Sequence, residues 1–143
     1  MSDSINLMES KLKFVPEVDS VSVLELLSSY QNFALKYPKD SLSPEYLYKA
    51  AALTNSIGRG TQAIELYETI IQNYPDFKKL PDCYFMEAFV YENVLGNIGK
   101  AAEKYSEFIE KFPNHPLADD ALTALKFLGK TPDEILQEFG KMN

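Results

Sequence analysis

The 143 residues are 45% apolar with 6 Gly and 8 Pro, enough for one ordinary folded domain with a continuous core. A formal charge of −7 and a pI near 4.7 argue against nucleic acid and anionic membrane surfaces, and leave a protein or peptide as the expected partner. The single cysteine, Cys83, excludes an internal disulfide, the single histidine, His115, leaves no metal site of nitrogen and sulfur ligands alone, and no run approaches the roughly 18 apolar residues of a membrane helix.

In chain order, a short helix is expected over 4–13, inside an N-terminal segment of residues 1–19 set apart from a helical domain over 20–143. Helices then follow over 20–37, 44–57, 61–74, 82–95, 98–112, 116–128 and 132–140. The reason is internal repetition. An aromatic followed by proline occurs at Tyr37-Pro38, Tyr74-Pro75 and Phe112-Pro113, spaced 37 and 38 residues apart. Eight residues before each proline stands Tyr30, Tyr67 or Tyr105, with Phe33, Ile70 or Phe108 three further on and Leu26, Ala63 or Ala101 four before. That is the stripe of an amphipathic helix which proline must end. A second pattern sets Ala50 before Ile57-Gly58, Ala88 before Leu95-Gly96 and Ala121 before Leu128-Gly129, where glycine is the favoured stop because it takes the left-handed conformation without a side-chain clash. Starts are read at Ser43-Pro44, at Thr61 and at Thr131-Pro132-Asp133-Glu134, the last as a capping box. Short turns between paired helices make antiparallel hairpins, and hairpins that cannot bury their own apolar faces stack on their neighbours. The expected class is all-α, an α-α superhelix or solenoid of such hairpins.

Ala63, Tyr67, Pro75 and Ala101, Tyr105, Pro113 carry a resemblance to the tetratricopeptide repeat, which extends over roughly residues 20–140. The run from Ser43-Pro44-Glu45 through Phe89-Val90-Tyr91 to Leu128-Gly129-Lys130 resembles small bacterial tetratricopeptide proteins, several of them envelope lipoproteins. The resemblance implies a scaffold without enzyme activity or cofactor. It also implies a periplasmic or outer-membrane setting if a signal or lipid anchor was removed, and a cytoplasmic one otherwise. The first helices of this family line a concave face, which here implies a partner surface of Tyr48, Ala52 and Asn55, then Met86, Val90 and Asn93, then Asp119, Thr123 and Lys126. Amides at Asn55 and Asn93 could hydrogen-bond the backbone of an extended peptide. Tyr48 and Ala52 stand where carboxylate-gripping family members need a lysine and an asparagine, and Asp119 would repel a carboxylate, which disfavours C-terminal tails. Incomplete terminal repeats leave self-assembly, including a homodimer, as the alternative.

Catalysis has weaker support. His115 falls in a turn with no nucleophile motif beside it, Cys83 has no basic neighbour, and Gly58-Arg59-Gly60 is too short for a phosphate loop. The pairs Asp119-Asp120 and Asp133-Glu134 point in different directions on a helix and suit helix N-termini. Most of the eighteen Phe and Tyr residues recur at repeat positions and are expected in the core, whereas Tyr46, Tyr48, Tyr84, Phe85, Phe89 and Tyr91 crowd the first helices, and some of these six are expected to reach the groove or a dimer contact.

Overall fold

The computed structural model describes residues 2–14 and 20–142, and these form eight helices and no strand. They are α1 (Ser2–Phe14), α2 (Ser20–Lys36), α3 (Leu42–Ser56), α4 (Gly60–Asn73), α5 (Leu80–Asn93), α6 (Ile98–Lys111), α7 (Ala118–Phe127) and α8 (Pro132–Met142). The all-α class of helical hairpins is as the repeat pattern requires. The chain divides into two compact units, Met1–Cys83 and Tyr84–Asn143.

In the first unit α2 packs on α3 and α3 on α4. Val23, Leu26, Leu27, Tyr30, Phe33 and Ala34 turn one stripe of α2 inward. Leu47, Ala50 and Ala51 do so from α3, and Ala63, Leu66, Tyr67 and Ile70 from α4. Each large side chain so buried contributes about 1.5–3 kcal/mol. The alanines matter by their size, because a methyl group at 0% exposure lets two helix backbones approach closely. Tyr46 is central to α2–α3 packing, stacked on Tyr30 at 5.4 Å between ring centroids and edge-on to Phe33 at 4.9 Å. The short N-terminal helix anticipated from sequence is α1, and it lies against α2. Ile5 is buried, and the Glu9 carboxylate accepts the Tyr30 hydroxyl at 2.5 Å and pairs with Lys49 at 2.8 Å.

The second unit has a core of Ala88, Ala101, Tyr105, Phe108, Ala118 and Ala121, with Phe85 edge-on to both Tyr105 and Phe108. Tyr105 donates to Glu92 at 2.8 Å and Tyr84 meets Phe112, so contacts climb α6 as they descend α5, the mark of an antiparallel hairpin. Glu87 is completely buried on α5, and the Lys104 ammonium on α6 sits 3.1 Å from its carboxylate.

The aromatic-proline dipeptides generate one turn three times over. In the first, Tyr37, Asp40 and Ser43 N–H groups donate to Phe33, Tyr37 and Asp40 carbonyls; in the second, Tyr74, Phe77 and Leu80 donate to Ile70, Tyr74 and Phe77; in the third, Phe112, His115 and Ala118 donate to Phe108, Phe112 and His115. All nine bonds lie between 2.8 and 3.2 Å. The three expected glycine stops also hold, with Gly58, Gly96 and Gly129 at φ of +80°, +64° and +76°.

Two of the start signals sit elsewhere than the sequence suggests. Ser43 is inside the first turn of α3, buried, with its hydroxyl on the Tyr37 carbonyl, while Asp40 accepts the Leu42 N–H at 2.8 Å. Thr61 lies one residue inside α4, which begins at Gly60. Thr131 does cap α8, accepting the Glu134 N–H at 3.2 Å, and α6 carries an unanticipated cap in which Asn97 accepts the Lys100 N–H at 3.1 Å.

Candidate functional site

On α3 the buried positions Leu47, Ala50, Ala51 and Thr54 define the inner face, and the Thr54 hydroxyl turns back onto the Ala50 carbonyl. The side chains between them lie along one flank of that face. Ala52 is exposed, while Tyr48 and Asn55 are half-buried. Tyr48 is edge-on to Tyr67 and Phe77 at 6.0 Å each, and the Lys79 ammonium stands 5.2 Å from its ring centre. Burial, then the nearby Asp82 carboxylate, pushes its phenol above the ordinary tyrosine range. Asn55 keeps its Oδ1 enclosed with no donor among the described residues. A buried acceptor in that state costs about 1–3 kcal/mol, and a rotation that gives it a donor recovers that cost.

In the second unit the expected residues separate. Val90 is completely buried and belongs to the core, because Cys83, Glu87 and Val90, at i, i+4 and i+7, share one inward face of α5. Met86 is half-buried, and Asn93 is exposed with its amide donating to the Phe89 carbonyl one turn back at 3.2 Å. Asn55 and Asn93, equivalent by spacing, are therefore in different states. Phe89 itself is exposed, one of the six aromatics that crowd the first helices. On α7, Asp119, Thr123 and Lys126 are all exposed along one stripe that also carries Leu122, 52% exposed and absent from the expected set.

His115 is a turn residue. Its Nδ1 accepts the Leu117 N–H at 3.0 Å, as Asp40 accepts that of Leu42, and its ring stands edge-on to Phe108 at 5.5 Å. Cys83 is fully buried. Among the described residues no three His, Cys, Asp or Glu side chains converge as metal ligands, and no helix is long and apolar enough to cross a membrane.

Two hollows of the first unit are lined by residues other than Tyr48, Ala52 and Asn55. One, of about 690 Å³, runs between the turns at 38–45 and 73–78 and is walled by Pro38, Pro44, Tyr74, Pro75 and Phe77. Another, of about 310 Å³, lies beside α2 and α4 among Ala34, Leu35, Leu47 and Leu66. Both are open to solvent.

Repeated hairpins, small residues where helices touch, and polar side chains raised between buried ones define a protein built from helical repeats. Residues 45–76 and 82–115, the hairpins α3–α4 and α5–α6 with their flanking turns, match the sequence model of the tetratricopeptide repeat. The chain is also similar to the mRNA 3′-end-processing protein RNA14 of Candida glabrata, 27% identical over 146 aligned positions that take in 94% of this chain and 22% of that protein. The chain thus spans about a fifth of that relative's length. Neither match bears on a bacterial envelope setting.

Proposed function

We propose that the protein is a non-catalytic scaffold that binds a protein or peptide through the outward side chains of its first helices. Tetratricopeptide repeats in general mediate contacts between proteins, and two hairpins of this chain match that repeat. The observation that carries the reading is on α3, where a half-buried amide with an unmatched Oδ1, an exposed small residue and a fixed aromatic stand along one helix: Asn55, Ala52 and Tyr48. Such a row offers a bonding group, close backbone approach and an apolar anchor to an extended segment. On the second unit, Asn93 with Phe89, and Asp119, Thr123 and Lys126 with Leu122, supply further polar contacts around exposed apolar side chains. The RNA-processing role of the relative is not carried over, because only a fifth of that protein is matched and the present chain is acidic.

The test is affinity capture followed by purified binding of whatever is recovered, comparing wild type with Ala52→Arg and with Asn55→Ala. Ala52→Arg fills an exposed position without touching the core, so it is expected to abolish binding while leaving the fold intact. Retention of every partner by both variants would remove α3 from the binding surface.

A further inference from the structure

The outward face of α2 carries a pattern unrelated to the proposed partner surface. Leu24, Ser28, Gln31 and Leu35 follow one another at spacings of four, three and four residues, the seam of a helix made to pack on another helix. Leu35 is 81% exposed and Leu24 38%. Helix α2 has only two charged residues, Glu25 and Lys36, in a chain of net charge −7, so this strip is unusually neutral. Among the described residues neither of the two forms an ion pair within the chain.

We propose that this face is a twofold, antiparallel contact with a second copy of the chain, its axis passing between Ser29 and Tyr30. The seam is self-complementary about that point and about no other in the helix. Leu24 falls opposite Leu35 of the second copy, Ser28 opposite Gln31, and symmetry repeats both layers. The outer layers are apolar, and each inner layer matches a hydroxyl with a carboxamide, so polar groups closed off at the centre have partners. The same register brings Glu25 to within about two residue rises, ~3 Å, of level with Lys36 of the second copy, a gap two long side chains can span, on the same side of the seam and twice by symmetry. Leu35 also forms one wall of the 310 Å³ hollow beside Ala34, Leu47 and Leu66, so Leu24 of the second copy, lying against Leu35, has a cavity to enter. Knob, cavity, polar pair and ion pair all follow from one register, and a foreign helix would have to match four features that a second copy supplies by symmetry.

A seam between single helices buries less than the ~1,600 Å² of a standard interface, so a reversible dimer with a micromolar dissociation constant is expected. Sedimentation of the full chain over about 5–500 µM should show a monomer passing to a dimer. Leu35→Glu and Leu24→Lys alone should each weaken association by ~100-fold, since every substitution enters two layers. Their exposure predicts unchanged helical circular dichroism. Mixing the two variants should restore dimerisation, because the mixed pair keeps one Leu–Leu layer and sets Glu against Lys in the other. A wild type that stays monomeric throughout, a dimer indifferent to Leu35→Glu, or variants that fail to reassemble on mixing would each overturn the proposal. So would a monomer that binds a foreign protein through Leu35. None of these outcomes bears on Ala52, so the partner-binding reading stands or falls separately.

Discussion

Replacing Lys104 by Met should be among the most damaging single changes in the second unit, although lysine is ordinarily a surface residue. Glu87 is completely buried, and the Lys104 ammonium lies 3.1 Å from its Oε2. At an effective dielectric near 20, two unit charges at that separation attract by ~5 kcal/mol, and much of this offsets the cost of removing both from water. Methionine keeps the bulk of the side-chain stem but removes the charge, leaving a carboxylate in the interior with that attraction gone. Breaking a buried pair from one side costs about 3–5 kcal/mol; Glu87 and Lys104 each have further interactions, which places the expected loss near 3 kcal/mol. The assay is urea unfolding at neutral pH, followed by circular dichroism at the helical minimum, for wild type, Lys104→Met, Glu87→Gln and the double variant. The double variant should lie within ~1 kcal/mol of wild type, since an amide has no charge to leave uncompensated. A Lys104→Met loss under ~1 kcal/mol, or a double variant no better than Lys104→Met alone, would refute the reasoning.

Alkaline pH should destabilise the fold in a way that two tyrosines control. The Tyr30 and Tyr105 phenols are both held above the ordinary range, first by burial and then by donating to Glu9 and Glu92. The native state therefore keeps protons that the unfolded chain releases near pH ~10; their contribution is complete below that pH and declines as pH rises beyond it. Urea midpoints between about pH 8 and about pH 11 should fall, and the fall should flatten in Tyr30→Phe with Tyr105→Phe. At Gly58, φ is +80° and nothing lies within 4 Å of where a Cβ would stand, so Gly58→Ala should lose about 1–2 kcal/mol in thermal unfolding from backbone conformation alone. Gly58→Asn should lose less, because asparagine tolerates that conformation; equal losses would point to a steric cause.

The hairpins were legible because the chain repeats itself: each aromatic-proline pair ends a helix, and the tyrosine eight residues before each proline faces inward, as Tyr30, Tyr67 and Tyr105 do. Helix ends were less legible because Ser43 and Thr61 are good caps by composition, yet Asp40 reached the first free N–H of α3 and freed Ser43 to bond Tyr37. Residue-level surface assignment failed chiefly on α5. Its run from Cys83 to Tyr91 holds one charged residue, so no polar side exists to mark the outside, and periodicity could not tell Val90 from Phe89. Nor could it show that Glu87, the one charge, faces inward. That depends on a lysine 17 residues later in the chain. On α3 the alternation of buried and exposed positions is cleaner, with Ala50, Ala51 and Thr54 buried and Ala52 exposed between them.

The threefold recurrence of one turn has a consequence for how such a chain can change length. Because Tyr37–Ser43, Tyr74–Leu80 and Phe112–Ala118 close with the same ladder of three backbone bonds, a segment cut between two of these turns begins and ends in the same local geometry. A whole hairpin could be inserted or removed there without splitting a helix or stranding a backbone donor. His115, Asp40 and Phe77 occupy the same step of that ladder with unlike side chains, so the joint makes little demand on what fills it. Growth by duplication would then be limited by whether each new hairpin finds a neighbour for its exposed apolar stripe, and hardly at all by the joints.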